Sequence, residues 1–152
     1  MNDMISLIKK NAPFANLPPG VHGKGHAERV LDFALRLSEY FEVDKKVIVI
    51  AALLHDVGRV NDHDDPEHGE RGAVLAKEFI RSHKIDVDSD LVARCIAGHV
   101  KENNTEIECK IIGDADKLDR FRFRGHDCLR VEFLELPESF SLIEYAKKVN
   151  GI

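Results

Sequence analysis

The chain has 152 residues, 43% hydrophobic and 32% charged, a composition that fits one globular domain around one core. Its formal net charge of −5 argues against a general nucleic-acid binder, which would present a basic face. No apolar run approaches the ~20 residues of a membrane helix, and the first residues lack the basic-then-apolar order of a signal peptide.

Residues 2–10 place Ile5 and Ile8 at helical spacing and predict a short helix. A loop follows over residues 11–25, with Pro18-Pro19-Gly20 as its stop signal and His22 and His26 at its end. From His26 to Phe41 the pattern is helical, with Val30, Phe33, Ala34, Leu37 and Phe41 on one stripe. His26 lies four residues before Val30, on that same stripe. Asp44 is a suitable N-cap for a helix over 45–56. Its residues 47–54 are all apolar, so it is expected to be buried all round and to end on His55-Asp56, with Gly58 as the stop.

Residues 61–67 form an acidic loop beside this pair, read either as a gate for the site or as a solvated connection. Pro66 then opens a helix to about residue 82, with His68 in its first turn and Leu75, Ala76, Phe79 and Ile80 available for burial. A helix over 89–101 carries His99 on the face of Cys95 and Ile96, and Asn103-Asn104 breaks the chain after it. Thr105 is placed to cap a helix over 106–119, in which Asp116 shares the inward face of Ile112. Residues 128–136 are read as helical, and Ser139 or Ser141 as the cap of a last helix ending near Lys148. No stretch reads as a strand. Cys95, Cys109 and Cys128 are odd in number and far apart, which points to a reducing, cytoplasmic setting without disulfides.

His26, His55, Asp56, His68, His99 and Asp116 thus fall on buried faces or just inside helix ends, from five helices. A buried imidazole or carboxylate without a partner costs several kcal/mol, roughly. Divalent ions take both as ligands, so one convergent metal site would satisfy the set.

Three stretches resemble the HD superfamily of metal-dependent phosphohydrolases: His26-Ala27-Glu28-Arg29-Val30, Ala51-Ala52-Leu53-Leu54-His55-Asp56-Val57-Gly58-Arg59, and Asp114-Ala115-Asp116-Lys117-Leu118-Asp119. The resemblance covers about residues 22–120. It implies an all-α bundle of about six to eight helices with no substantial sheet, formed by residues 1–152 as a single HD domain. Residues 121–152 would be a helical C-terminal extension. It also implies hydrolysis of a small phosphate ester, such as a nucleotide, by metal-activated water. His68 and His99 lie where dinuclear members carry two further histidines. Asp56 would then bridge two ions, one held by His26, His55 and Asp116 and the other by His68 and His99. Mn, Mg, Fe, Co, Ni and Zn are not distinguishable, and the sequence names neither the substrate nor the oligomeric state.

With Asp56, Lys117 and Arg59 are the expected catalytic residues, as phosphate contacts beside ligands. Arg29 serves either the phosphate or a ligand carboxylate. Two further readings use the same residues: a dinuclear-iron oxygenase of this fold, and a non-catalytic metal- or nucleotide-binding module. His22 has no assignable facing, His63 is read as solvated, and His126-Asp127 as a coincidental repeat of the dipeptide. Arg120, Arg122 and Arg124 are read as an exposed basic edge.

Overall fold

The apolar run of residues 47–54 sets the architecture. In the computed structural model, which describes residues 1–17, 20–101 and 104–152, it lies in helix α3 (Lys45–Leu54). The Asp44 carboxylate caps this helix, accepting from the Lys46 and Val47 amides. Every residue from Val47 to Leu54 is buried. Four of them are β-branched, each costing a helix about 0.5 kcal/mol against alanine. Burial of each branched side chain returns about 1.5–3 kcal/mol, so tertiary packing overrides the local preference.

The neighbours that bury α3 are α1 (Asn2–Asn11), α2 (Lys24–Ser38), α4 (His68–Ser82), α5 (Ser89–Gly98) and α6 (Ile107–Leu118). α2 also packs on α6, and α4 on α5. A tail of 3-10 turns leads from α6 to α7 (Ile143–Val149). No strand occurs among the described residues, as the sequence reading expects. No helix among them is long and apolar enough to cross a membrane. The stop signals expected at Pro18-Pro19 and at Asn103 lie outside the described residues.

Several local expectations are corrected. α3 ends at Leu54, so His55 and Asp56 occupy the turn that follows it. Glu106, not Thr105, is the N-cap of α6, and it offers no side-chain bond there because both its oxygens take the Arg94 guanidinium. Leu75 stays exposed on α4. Residues 128–136 form no α-helix. The Glu135 and Leu136 amides donate to the Asp114 carboxylate instead of to helical carbonyls. Ser139 also donates to Asp114 and caps no helix. The extension is therefore a run of short 3-10 turns and loops leading into α7, tied to α6 in part through the buried Asp114 carboxylate.

Gly58 has another purpose than the expected stop. It lacks a positive φ. A Cβ there would instead collide with the Gly72 amide and the His68 carbonyl, so a glycine lets the α3 exit turn touch α4 backbone to backbone. Gly58→Ala is expected to lower stability by about 2–3 kcal/mol, as overpacking does, and to weaken metal binding through His68. Thermal unfolding combined with metal titration checks this; an unchanged midpoint would show that the two backbones can separate freely.

Candidate metal centre

All six ligand candidates converge. His26 comes from the first turn of α2, His55 and His99 are the residues capping the C-termini of α3 and α5, His68 opens α4, and Asp116 lies in the last turn of α6. His26 Nε2 lies 3.0 Å from His55 Nε2 and 3.0 Å from Asp116 Oδ1. On the other side, His68 Nε2 lies 3.0 Å from His99 Nε2. Asp56 sits between the two pairs. Its Oδ2 is 3.4 Å from both His26 and His55, while its Oδ1 is 3.2 Å from His68 and 3.5 Å from His99. His26, His55 and Asp116 form one group that could hold a metal ion, and His55, Asp56 and His99 form another.

The other ring nitrogens explain why the Nε2 atoms converge. A helix leaves its last carbonyls without amide partners. His55 Nδ1 donates to the Ala52 carbonyl at 2.7 Å and His99 Nδ1 to that of Ile96 at 2.6 Å, so each histidine closes the helix it terminates. His68 Nδ1 donates to the Asp65 carbonyl at 2.5 Å. A carbonyl only accepts, so Nδ1 carries a proton in these rings and Nε2 is the nitrogen left to face the centre. His26 is oriented differently, with Nδ1 2.7 Å from an Asp119 oxygen.

Nε2 nitrogens facing each other at 3.0 Å, beside two carboxylates, need a proton or a cation between them. Burial alone would lower the imidazoles, yet Asp116, Asp119 and Asp56 hold His26 above its ordinary value. The same competition, won chiefly by Asp56 and Asp116, holds His55 well above it. Burial would raise the carboxyls of Asp56 and Asp116, but the histidines hold both well below the usual range. Imidazole nitrogen and carboxylate oxygen are the donors that borderline and hard divalent ions accept, and this set fits them.

The HD domain family model matches residues 24–120, which include every residue of this cluster. The chain belongs to the HD domain family. A predicted HD superfamily hydrolase from an uncultured Thermotogales bacterium shares the fold, with a TM-score of 0.69 and 23% identity over 98% of this chain and 86% of its own. A bifunctional uridylyltransferase/uridylyl-removing enzyme of Methylococcus capsulatus is 31% identical over 55% of this chain, but only 9% of its own length is covered. A ribonuclease Y of Mycoplasma genitalium is 26% identical over 78% of this chain and 23% of its own length. The chain thus spans less than a quarter of these two curated relatives.

Around the HD-domain cluster, the structure sorts the remaining expectations. Arg59 Nε lies 3.4 Å from Asp56 Oδ1. Lys117 donates to the Phe133 carbonyl, lies 3.9 Å from Asp114 Oδ1 and lines a cavity that reaches His99. Arg29 donates to both oxygens of Asp119, a carboxylate outside the six ligand candidates. His63 is exposed, as read, and His126 is exposed too. Arg122 is not part of an exposed edge: its side chain is 9% exposed and donates to the Val21 and Asp119 carbonyls.

Sequence reasoning missed the supports. Asp119 is fully buried, holding His26 while accepting from Arg29 and from Asn150 beyond α7. Its spacing gives the available signal, because it follows Asp116 by one helical turn. His22 packs edge-on against His26, with Nδ1 2.6 Å from Asp62. Burial pushes its imidazole down to about 4. The acidic loop borders the site as expected, but Asp62 and Asp65 are buried parts of it rather than a solvated connection. Asp65 accepts from the Val60 amide and from Arg71 while its carbonyl orients His68.

Proposed function

We propose that this HD domain is a cytoplasmic, metal-dependent hydrolase of a nucleotide or related small phosphate ester. The observation that carries the reading is Asp56, whose two oxygens address two separate histidine pairs. His26, His55 and Asp116 would hold one ion, His68 and His99 a second, and Asp56 both. Bound divalent ions supply a water of lowered pKa and polarise a phosphoryl oxygen.

The chain's own residues position and neutralise. Asp119 fixes the tautomer of His26, and three backbone carbonyls fix those of His55, His68 and His99. Arg59 contributes a guanidinium beside Asp56 for charge developing on the transferred phosphoryl group. Lys117 contributes an ammonium through the cavity next to His99. Asp116 is the most open of the six, with a side chain 26% exposed, which gives substrate an approach on that side.

A panel of nucleotide mono-, di- and cyclic phosphates, assayed with several divalent ions, tests the reading. At least one ester should be hydrolysed with manganese, magnesium or cobalt, lost on chelation and restored by the ion. No turnover of any ester with any ion would sink it. Two bound irons with a mixed-valence signal and no phosphate release would reassign the same ligands to oxygen chemistry. His55→Ala separates catalysis from a merely structural ion, since activity should vanish while the helical fold persists.

A further inference from the structure

Beside His99 opens a cavity of 340 Å³. Small-molecule sites start near about 300 Å³. Four cations line it, Lys101, Lys117, Arg120 and Arg130, and no carboxylate does among the described residues. This local charge is opposite in sign to the chain's net −5. Three of the four have a carboxylate outside the lining: Lys101 Nζ is 3.8 Å from Glu70, Lys117 Nζ is 3.9 Å from Asp114, and Arg130 pairs with its near neighbour Glu132. Arg120 makes no ion pair among the described residues; its guanidinium carbon lies 5.8 Å from the Phe123 ring centre.

The rest of the wall is mixed, with His99, His126 and Cys128 beside an apolar part. Val100, Leu129 and Phe133 contribute, and Phe133 is 44% exposed with the Arg130 guanidinium 5.0 Å from its ring centre. Exposed aromatic and guanidinium planes are surfaces on which flat heterocycles stack. Leu129, Arg130 and Phe133 come from the extension beyond residue 120, where the HD domain match ends. Lys117 ties this extension to α6 through the Phe133 carbonyl. The matched domain therefore contributes the metal cluster, and the extension completes a cavity against it.

We propose that this cavity receives the leaving-group side of the substrate, and that this group carries a second anion beside a flat ring. The substrate class is a phosphate ester with a further phosphate, such as a nucleoside bisphosphate, rather than an ester with an uncharged leaving group. Like charges gathered around a cavity repel until an anion enters, and arginine forks match phosphate oxygens in pairs. The inference rests on the phosphohydrolase reading and extends it to specificity.

The test is calorimetric binding of adenosine 3′,5′-bisphosphate and of adenosine 5′-monophosphate to the manganese-loaded chain. The bisphosphate should bind at least about tenfold tighter. Arg120→Gln should cut that preference to below about threefold, and Lys101→Gln with Arg120→Gln should erase it. The readout is a ratio of two ligands on one protein, so any general effect of a substitution on folding or metal loading cancels. Equal affinity in the unmodified chain, or a preference that survives the double substitution, would overturn the subsite. Turnover of each ester, followed in parallel, judges the phosphohydrolase reading separately: hydrolysis without the preference sinks the subsite alone.

Discussion

Substituting Asp56 by asparagine is expected to remove both ions and to cut turnover by about a thousandfold or more. One support of a metal ligand is worth about 10–100-fold when lost, and Asp56 serves both halves of the cluster. Its Oδ2 faces His26 and His55, and its Oδ1 faces His68 and His99. Asparagine keeps one acceptor oxygen and turns the other into a donating amide. Whichever way it flips, a donor faces one pair of Nε2 atoms, and the negative charge is gone. Metal analysis should fall from two ions per chain to below one.

His68→Ala is the matched comparison. It removes one imidazole from the Oδ1 side and leaves His26, His55 and Asp116 intact. One ion per chain should remain. Equal metal content in the two variants would show that Asp56 is not shared between two ions.

What the sequence could reveal about this site follows from the range of the signals. His26, His99 and Asp116 were legible because each sits on an apolar stripe at three- and four-residue spacing. α3 was legible because eight apolar residues in succession leave no solvent face. The supports were not legible, because they depend on pairings that periodicity does not carry. His22 finds Asp62 forty positions along the chain, and Arg29 finds Asp119 ninety positions along. A proline- and glycine-rich loop gives His22 no phase, so only the fold could aim it. The extension failed for a related reason. Its amides are satisfied by Asp114, a residue of another element, so its own composition gives a misleading local answer. Gly58 is a third case: a glycine after a helix suggests a left-handed cap, but here it is the approach of α4 that excludes a side chain.

Asp119→Asn is the second large effect, and it separates orientation from ligation. Asp119 touches none of the metal-facing Nε2 atoms; its Oδ2 binds His26 through Nδ1 at 2.7 Å. Its charge also answers Arg29 at 2.9 Å and Arg122 at 3.7 Å. Burial would raise this carboxyl, yet the bonds from His26 and Arg29 keep it below the usual carboxylate range, so it stays ionised. Asparagine removes the charge and can present its amide nitrogen to His26, which favours the tautomer with the proton on Nε2. Metal affinity should fall about 10–100-fold. Breaking a buried ion pair costs about 3–5 kcal/mol. The solvent-open side of Arg29 places this case near the lower end, about 3 kcal/mol, or a melting shift of about 6–12 °C for a chain of this size.

Asn150→Ala supplies the control, since it deletes one neutral donor to the same carboxylate. It should cost about 1 kcal/mol and leave the metal affinity nearly unchanged. Unfolding followed with and without saturating manganese distinguishes the two contributions. A bound ion stabilises in proportion to the logarithm of its saturation, so the gap between the two melting curves should shrink in Asp119→Asn and persist in Asn150→Ala. A gap that persists in both would mean that His26 is held by packing alone, with Asp119 serving only to neutralise the two arginines.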